Sequence, residues 1–208
     1  MYMRSKKMKS SSTVEKQRKH IINTTHQLII QKGIKNINIS LIAKEAQIDR
    51  KTIYNHFKNL EAIATEIILY KFSDLSTYMA YDDQLSGFDQ LESLLNSFWV
   101  FAQNEKDHII FSYEFDANFK YQPLFLSATN IKELEESQLY NIVSKGIKDG
   151  SIKSHNLQVH KILGLIFIPI VSTLQKYYHR EEVYKDIYQI ELEDLRLHLD
   201  MILSYFKA

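Results

Sequence analysis

Cysteine is absent from the 208 residues, which excludes disulfides and thiolate metal sites and fits a reducing cytoplasm. Glycine (5) and proline (2) are also scarce. With so few breakers, the long periodic stretches read as helices, and no segment has a strand pattern worth assigning. Long hydrophobic runs are missing too. The most apolar stretch, Ile162 to Val171, is about half of what a membrane span requires. Met1 to Ser12 is basic and polar with no apolar run behind it, so it does not read as a secretory signal. These absences predict a soluble, cytoplasmic protein. Apolar residues at 45% supply a sizeable core and argue against wholesale disorder.

Catalytic signatures are lacking as well. There is no Gly-rich phosphate loop and no nucleophile elbow. His155 with His160, and His108 with Glu114, are the pairs that invite metal chemistry, yet neither spacing sets two ligands one helical turn apart. An enzyme, a bound metal and a cofactor are therefore not expected.

Charge is what the sequence does have, and it is unevenly placed. Residues 1–60 hold 13 Lys/Arg against 3 Asp/Glu, a net of +10, while residues 61–208 hold 13 against 22, a net of −9. A basic head can release counterions from a polyanion, and an acidic body cannot. A chance cluster in a tail accounts for Arg4 to Lys9. It does not account for Arg50, Lys51 and Lys58, which lie inside a patterned segment.

The pattern predicts an all-α chain with a flexible basic arm at 1–12, a helix-turn-helix domain at 13–60 and a helical domain at 61–208. The first helix is expected over Thr13 to Lys32, with Ile21, Ile22, Leu28 and Ile29 inward and Gly33 as a left-handed cap. Ile39 to Gln47 follows, N-capped by Asn38, with Ile42, Ala43 and Ala46 on its inner face. After a turn at Gln47 to Asp49, a helix over Arg50 to Phe57 turns Ile53 and Phe57 inward, with Asp49 as its N-cap. Longer helices are expected over 60–80, 86–103, 106–118, 122–148, 156–179 and 182–206, with Pro123 at a first helical position and Gly150 closing the helix before it.

Two short helices joined by a tight turn, the second carrying basic and amide groups, form a helix-turn-helix pattern. The inward residues fix the angle between the helices, so the second can enter the major groove as a rigid rod. The run Ile39-Ser40-Leu41-Ile42-Ala43-Lys44-Glu45-Ala46-Gln47-Ile48-Asp49-Arg50-Lys51-Thr52-Ile53-Tyr54-Asn55-His56-Phe57-Lys58-Asn59 resembles the DNA-binding core of the TetR (tetracycline-repressor) family. Ile42-Ala43, Thr52-Ile53-Tyr54 and His56-Phe57-Lys58 carry the likeness most strongly, with Gly33 ahead and Glu61 behind. The motif covers about residues 13–63, and beyond it the likeness is architectural. Gln47 stands where the family usually has a turn glycine, so it either adopts a left-handed conformation at a small cost or remodels the turn. Lys51 replaces a usual Gly or Ala, Leu60 a common Lys, and Asn38 a common Thr or Ser.

The resemblance implies phosphate contacts from Asn38, Tyr54, His56 and Lys58, and base or groove contacts from Arg50, Lys51, Thr52 and Asn55. Ser40 joins the DNA-contacting set. Phe57 reads as core, Tyr54 as a phosphate anchor ahead of a core residue, and His56 as either a backbone contact or a half-buried packing group.

For the body, the resemblance implies a ligand-responsive repressor that binds a (pseudo)palindromic operator as a homodimer. Its dimer interface would use the last two helices, with apolar stripes at 159–174 and 192–206. The middle of the chain is dense in aromatics, among them Phe98, Phe101, Phe111, Phe115, Tyr121 and Phe125. The family's small-molecule pocket lies in this region, and Trp99, Tyr113, Phe119, Tyr140 and Phe167 are its candidate lining for a mostly apolar or aromatic effector. That effector would shift the balance between conformers, with the helix at 60–80 as the lever. Two alternatives remain: a DNA-binding interaction protein without a small-molecule inducer, and an activator.

Overall fold

The computed structural model describes residues 2–73, 82–119 and 131–208, and among them the chain is all-α. Pro123, Tyr121, Phe125 and the outer parts of the helices expected over 60–80 and 122–148 lie outside the described residues. The first helix, α1, runs Tyr2–Lys32, so it continues back through the segment expected as an arm. No glycine or proline stands in that stretch to stop it. A 3-10 helix at Ile34–Asn36 then leads to α2 (Ile39–Glu45), α3 (Arg50–His56) and α4 (Leu60–Ser73).

These elements close around one head core of Ile21, Ile22, Leu28, Ile29, Ile42, Ile53, Phe57, Ile63 and Ile67. Ile21, Ile42, Ile53, Ile63 and Ile67 have no exposed surface, and each such burial contributes roughly 1.5–3 kcal/mol. α4 thus belongs to the head through Ile68. Asn59 caps it by accepting the Ala62 amide on Oδ1 at 2.8 Å.

The body consists of α5 (Gly87–Asn104), α6 (Lys106–Asn118), α7 (Ile131–Glu135), α8 (Gln138–Asp149), α9 (Val159–His179), α10 (Glu181–Tyr188), a 3-10 helix at Leu192–Leu195, and α11 (Arg196–Phe206). Phe88, Leu91, Leu95, Phe98 and Ala102 on α5 and Leu163, Ile166, Ile170 and Leu174 on α9 belong to one core. α5 and α8 cross at backbone distance. A Cβ on Gly87 would lie 2.1 Å from the Gly146 nitrogen, so only glycine fits there. The crossing is pinned by the Gly87 amide donating to Asp149 Oδ2 at 2.8 Å and the Phe88 amide to Ser151 Oγ at 3.0 Å. Hydrogen bonds from the Ser151 side chain, then from the Gly87 amide, hold the Asp149 carboxyl below its ordinary value.

Two expected helices are broken. The one expected over 122–148 is interrupted because the Ser137 hydroxyl accepts the Tyr140 amide and so starts α8 afresh. The one expected over 182–206 breaks at Gln189, whose φ is 55°, and restarts through a capping box between Glu191 and Asp194. Gly150 closes α8 in a left-handed conformation, as expected.

α9 revises the membrane estimate made from the apolar run. With 21 residues it is long and apolar enough to cross a bilayer by length and composition alone. Its Ile162, Leu163, Ile166, Phe167, Ile170 and Leu174 are instead buried, with α9 packed chiefly on α6 and α8. Pro169 lies inside it, so the Leu165 carbonyl has no amide partner one turn on.

Candidate nucleic-acid interface

The turn between α2 and α3 is set by three backbone bonds. Ala46 N donates to Ile42 O at 2.8 Å, Gln47 N to Lys44 O at 3.3 Å and Ile48 N to Ala43 O at 3.0 Å. The last two are the paired bonds of a Schellman ending, which requires a left-handed residue between them. Gln47 supplies it at φ 54°. Of the two outcomes open at this position, the chain takes the left-handed conformation, at a cost of about 1 kcal/mol relative to glycine. Asn38 caps α2 as expected, its Oδ1 accepting the Leu41 amide at 2.9 Å. Asp49 occupies the N-cap position of α3 by its backbone, without the side-chain bond that its identity suggested.

Behind the two helices, Ile42, Ala46, Ile53 and Phe57 are buried. In front, Asn38, Ser40, Arg50, Lys51, Tyr54, Asn55 and Lys58 are exposed, and Thr52 and His56 are half-buried. Tyr54 is 57% exposed, which removes a core role for it. Arg50 Nη1 lies 3.3 Å from Ser40 Oγ, tying the start of α3 to the start of α2. Amide, hydroxyl, phenol and cationic groups therefore share one outer face, a set able to donate to phosphates and to base edges. Asn38 keeps its NH2 for such a contact after spending its oxygen on the cap.

Residues 21–67 match the model of the bacterial regulatory proteins of the tetR family. Residues 21–67 form a TetR-type DNA-binding domain. A helix-turn-helix-type transcriptional regulator of Haemophilus influenzae is 26% identical over 131 residues, 62% of this chain and 60% of that one. The matched stretch thus spans less than two thirds of that relative. Among solved structures, a TetR-family regulator from Haemophilus influenzae superposes with a TM-score of 0.59 at 17% identity, covering 93% of this chain and 98% of that one. A TetR-family regulator from Marinobacter aquaeolei gives a TM-score of 0.66 at 15% identity, covering 95% and 98%. The head is thus a TetR-type helix-turn-helix domain, and the helical body shares the fold of these TetR-family structures.

Two α1 side chains that serve this TetR-type head went unmarked in the sequence. Arg18 donates from Nη1 to the His56 carbonyl at 3.2 Å, pairs through Nη2 with Glu66 Oε2 at 2.9 Å, and sits 4.5 Å over the Phe57 ring. It thereby satisfies a carbonyl at the end of α3 that has no intrahelical partner and joins α3 to α4. His20 Nε2 lies 3.0 Å from the Ala46 carbonyl at the turn. Arg18 did carry a signal: it falls on the same stripe as Ile21, Ile22, Thr25 and Ile29, a charge on an otherwise inward face.

The five residues expected around a pocket do not gather at one described cleft. Trp99 and Phe167 are buried in the body core, and Tyr140 packs against that core from α8. Tyr113 stacks on His179 at 4.3 Å. Phe119 packs against the head core, 5.2 Å from Phe115. A cleft of about 360 Å³ at Asp89, Glu92 and Asn96 contains none of the five. Another of about 730 Å³ at Lys106, Arg180 and Asp186 contains none either.

Proposed function

We propose that this chain is a TetR-family regulator that works in the cytoplasm as a homodimeric, ligand-responsive repressor, gripping a (pseudo)palindromic operator with one α3 per half-site. The observation that carries the reading is an apolar face left uncovered on α9 and α11. Leu165 and Ile168 are 52% and 67% exposed, and Leu197, Met201 and Tyr205 are 65%, 61% and 58% exposed. A hydrogen bond between Thr173 and His198 lays the two helices side by side. The stripes at 159–174 and 192–206 expected to meet the partner are largely buried within the subunit, Leu163, Ile166, Ile170, Leu174, Leu199 and Phe206 among them. The helices remain the expected ones, and the surface they offer is the opposite one. Large exposed apolar patches mark association surfaces, and a pair of such helices from each of two copies makes a four-helix interface.

Asn38, Ser40, Tyr54, His56 and Lys58 would hold phosphates in this reading, and Arg50, Lys51, Thr52 and Asn55 would face the groove. The effector would be mostly apolar, with Trp99, Tyr113, Phe119, Tyr140 and Phe167 as its candidate wall. It would act through α4 by favouring a conformer with a different spacing between the two heads. The test is sedimentation and gel shift on duplexes tiling the region upstream of the chain's own coding sequence. Wild type is expected to sediment as a dimer and to shift such a duplex, and Ile168→Arg to sediment as a monomer with affinity at least tenfold lower. A wild-type monomer that ignores those duplexes at low ionic strength would sink the reading. Footprints at many sites, unchanged by any apolar small molecule, would favour the interaction-protein alternative.

A further inference from the structure

α6 is shared between the two cores. Ile109 lies in the body core, whereas Phe111 and Phe115, two and six residues on and so on another side of the helix, are 1% exposed within the head core. Apolar contacts of this kind hold two bodies together without fixing their register, because dispersion and burial have little direction. Beside the stack of His26 on His108, a directional hydrogen bond crosses the same seam. Glu114 Oε2 accepts the Ile34 amide at 2.9 Å, across 80 residues of chain.

That amide opens the 3-10 helix and follows Gly33. Gly33 has φ 72° and ψ 147°, a region essentially confined to glycine. The carboxylate packs over the place where a side chain on Gly33 would begin, with Oε2 3.5 Å from that position. From Ile34 the path to the reading head is short and internally bonded. Asn36 N donates to Gly33 O, Ile37 N donates to Ile34 O, and Asn38 then caps α2. Ile34 and Ile37 are themselves buried, so the link cannot swing without disturbing the head core. The position of one body carboxylate is thereby passed through four residues to the start of the helix-turn-helix.

We infer that Glu114 is a positioning residue for DNA recognition: its hydrogen bond to the Ile34 amide fixes the angle of the head on the body. Breaking that bond frees the head, α1 to α4 together, to shift on α6 while the Phe111 and Phe115 contacts keep it attached. The inference deepens the operator-binding reading, but it concerns the geometry of a single chain and does not need the dimer.

The lack of native cysteine makes the test direct. In a K44C/K148C chain, donor and acceptor dyes report the distance between α2 and the end of α8 by single-molecule energy transfer, with labelled chains diluted in unlabelled protein. One narrow distribution is expected for the parent. Glu114→Ala and Glu114→Asp are expected to broaden or shift it, the aspartate keeping the charge but losing the reach. Glu114→Gln keeps an acceptor at the same distance and is expected to restore the parent distribution. On any duplex that wild type binds, the Ala and Asp forms should bind about tenfold more weakly and the Gln form within about threefold of wild type. An unchanged distribution in a folded Glu114→Asp protein, or a broadened one with full affinity, would overturn the inference. A monomeric wild type would leave the energy-transfer result standing and count only against the dimer.

Discussion

Arg50, Lys51 and Lys58 on the head are exposed and, among the described residues, form no ion pair, whereas three cations of the body, Lys106, Lys185 and Arg196, are closed on carboxylates. Lys106 and Lys185 both bind Glu181, Lys185 also reaches Glu191 at 3.1 Å, and Arg196 pairs with Asp200 at 3.1 Å. The bonds from Lys106 and then Lys185 hold the Glu181 carboxyl below its ordinary value, and Glu181 holds the Lys185 ammonium above its own. Tyr178, desolvated beside this group, is pushed up to about 12. Two surfaces with similar residue types thus differ in what they can offer. A cation already matched by a carboxylate has little to exchange with a phosphate, while an unmatched one releases counterions when it meets one.

The two regions also hold their shape by different means, and the largest expected effect comes from the body's. Gly87→Ala drives a methyl group onto the backbone of Gly146, which should cost about 3 kcal/mol or more. Urea unfolding followed by Trp99, the one tryptophan of the chain, should show a much lower midpoint; a wild-type midpoint would mean that the crossing is not close. The head relies on a clamp rather than on close approach. Arg18→Ala removes a backbone hydrogen bond, a cation–π contact and an ion pair whose side chains are about one-third exposed, a loss of about 1–2 kcal/mol in total. Arg18→Lys keeps charge without the planar fork and should recover only part of it, which the same unfolding curves can rank. The smallest effects concern the free and the matched cations. Lys58→Ala should flatten the salt dependence of duplex binding by about one unit per head, and Lys185→Ala should leave that slope untouched. Equal slopes in the two variants would erase the contrast between the surfaces.

The head was largely legible because its constraints are local. The Asn38 cap, the inward Ile42, Ile53 and Phe57, and the irregular turn at Gln47 each follow from residues within one or two turns of one another. The body was legible in the helices expected over 86–103 and 106–118 and in the stripe from Phe88 to Ala102. It was less legible where the decisive partner is distant in sequence. Nothing near Gly87 announces Gly146, and nothing near Gly33 announces Glu114. The stripes on α9 and α11 were identified as apolar correctly, but periodicity alone does not say whether a stripe meets its own subunit or another. In the sequence Glu114 stands out only through its spacing from His108, and its bond to the Ile34 amide gives it a different role.

Sharing α6 between two cores limits how portable the reading head can be. A fragment ending at residue 60 or even 73 would strip Phe111 and Phe115 from the head and expose the isoleucines they cover. It would behave as a sticky, partly molten piece rather than a miniature DNA binder. A graft of this head onto a foreign scaffold would need to carry a surrogate for one face of α6. Modularity here is a property of the fold's outline, and the chain itself is built as one cooperative piece.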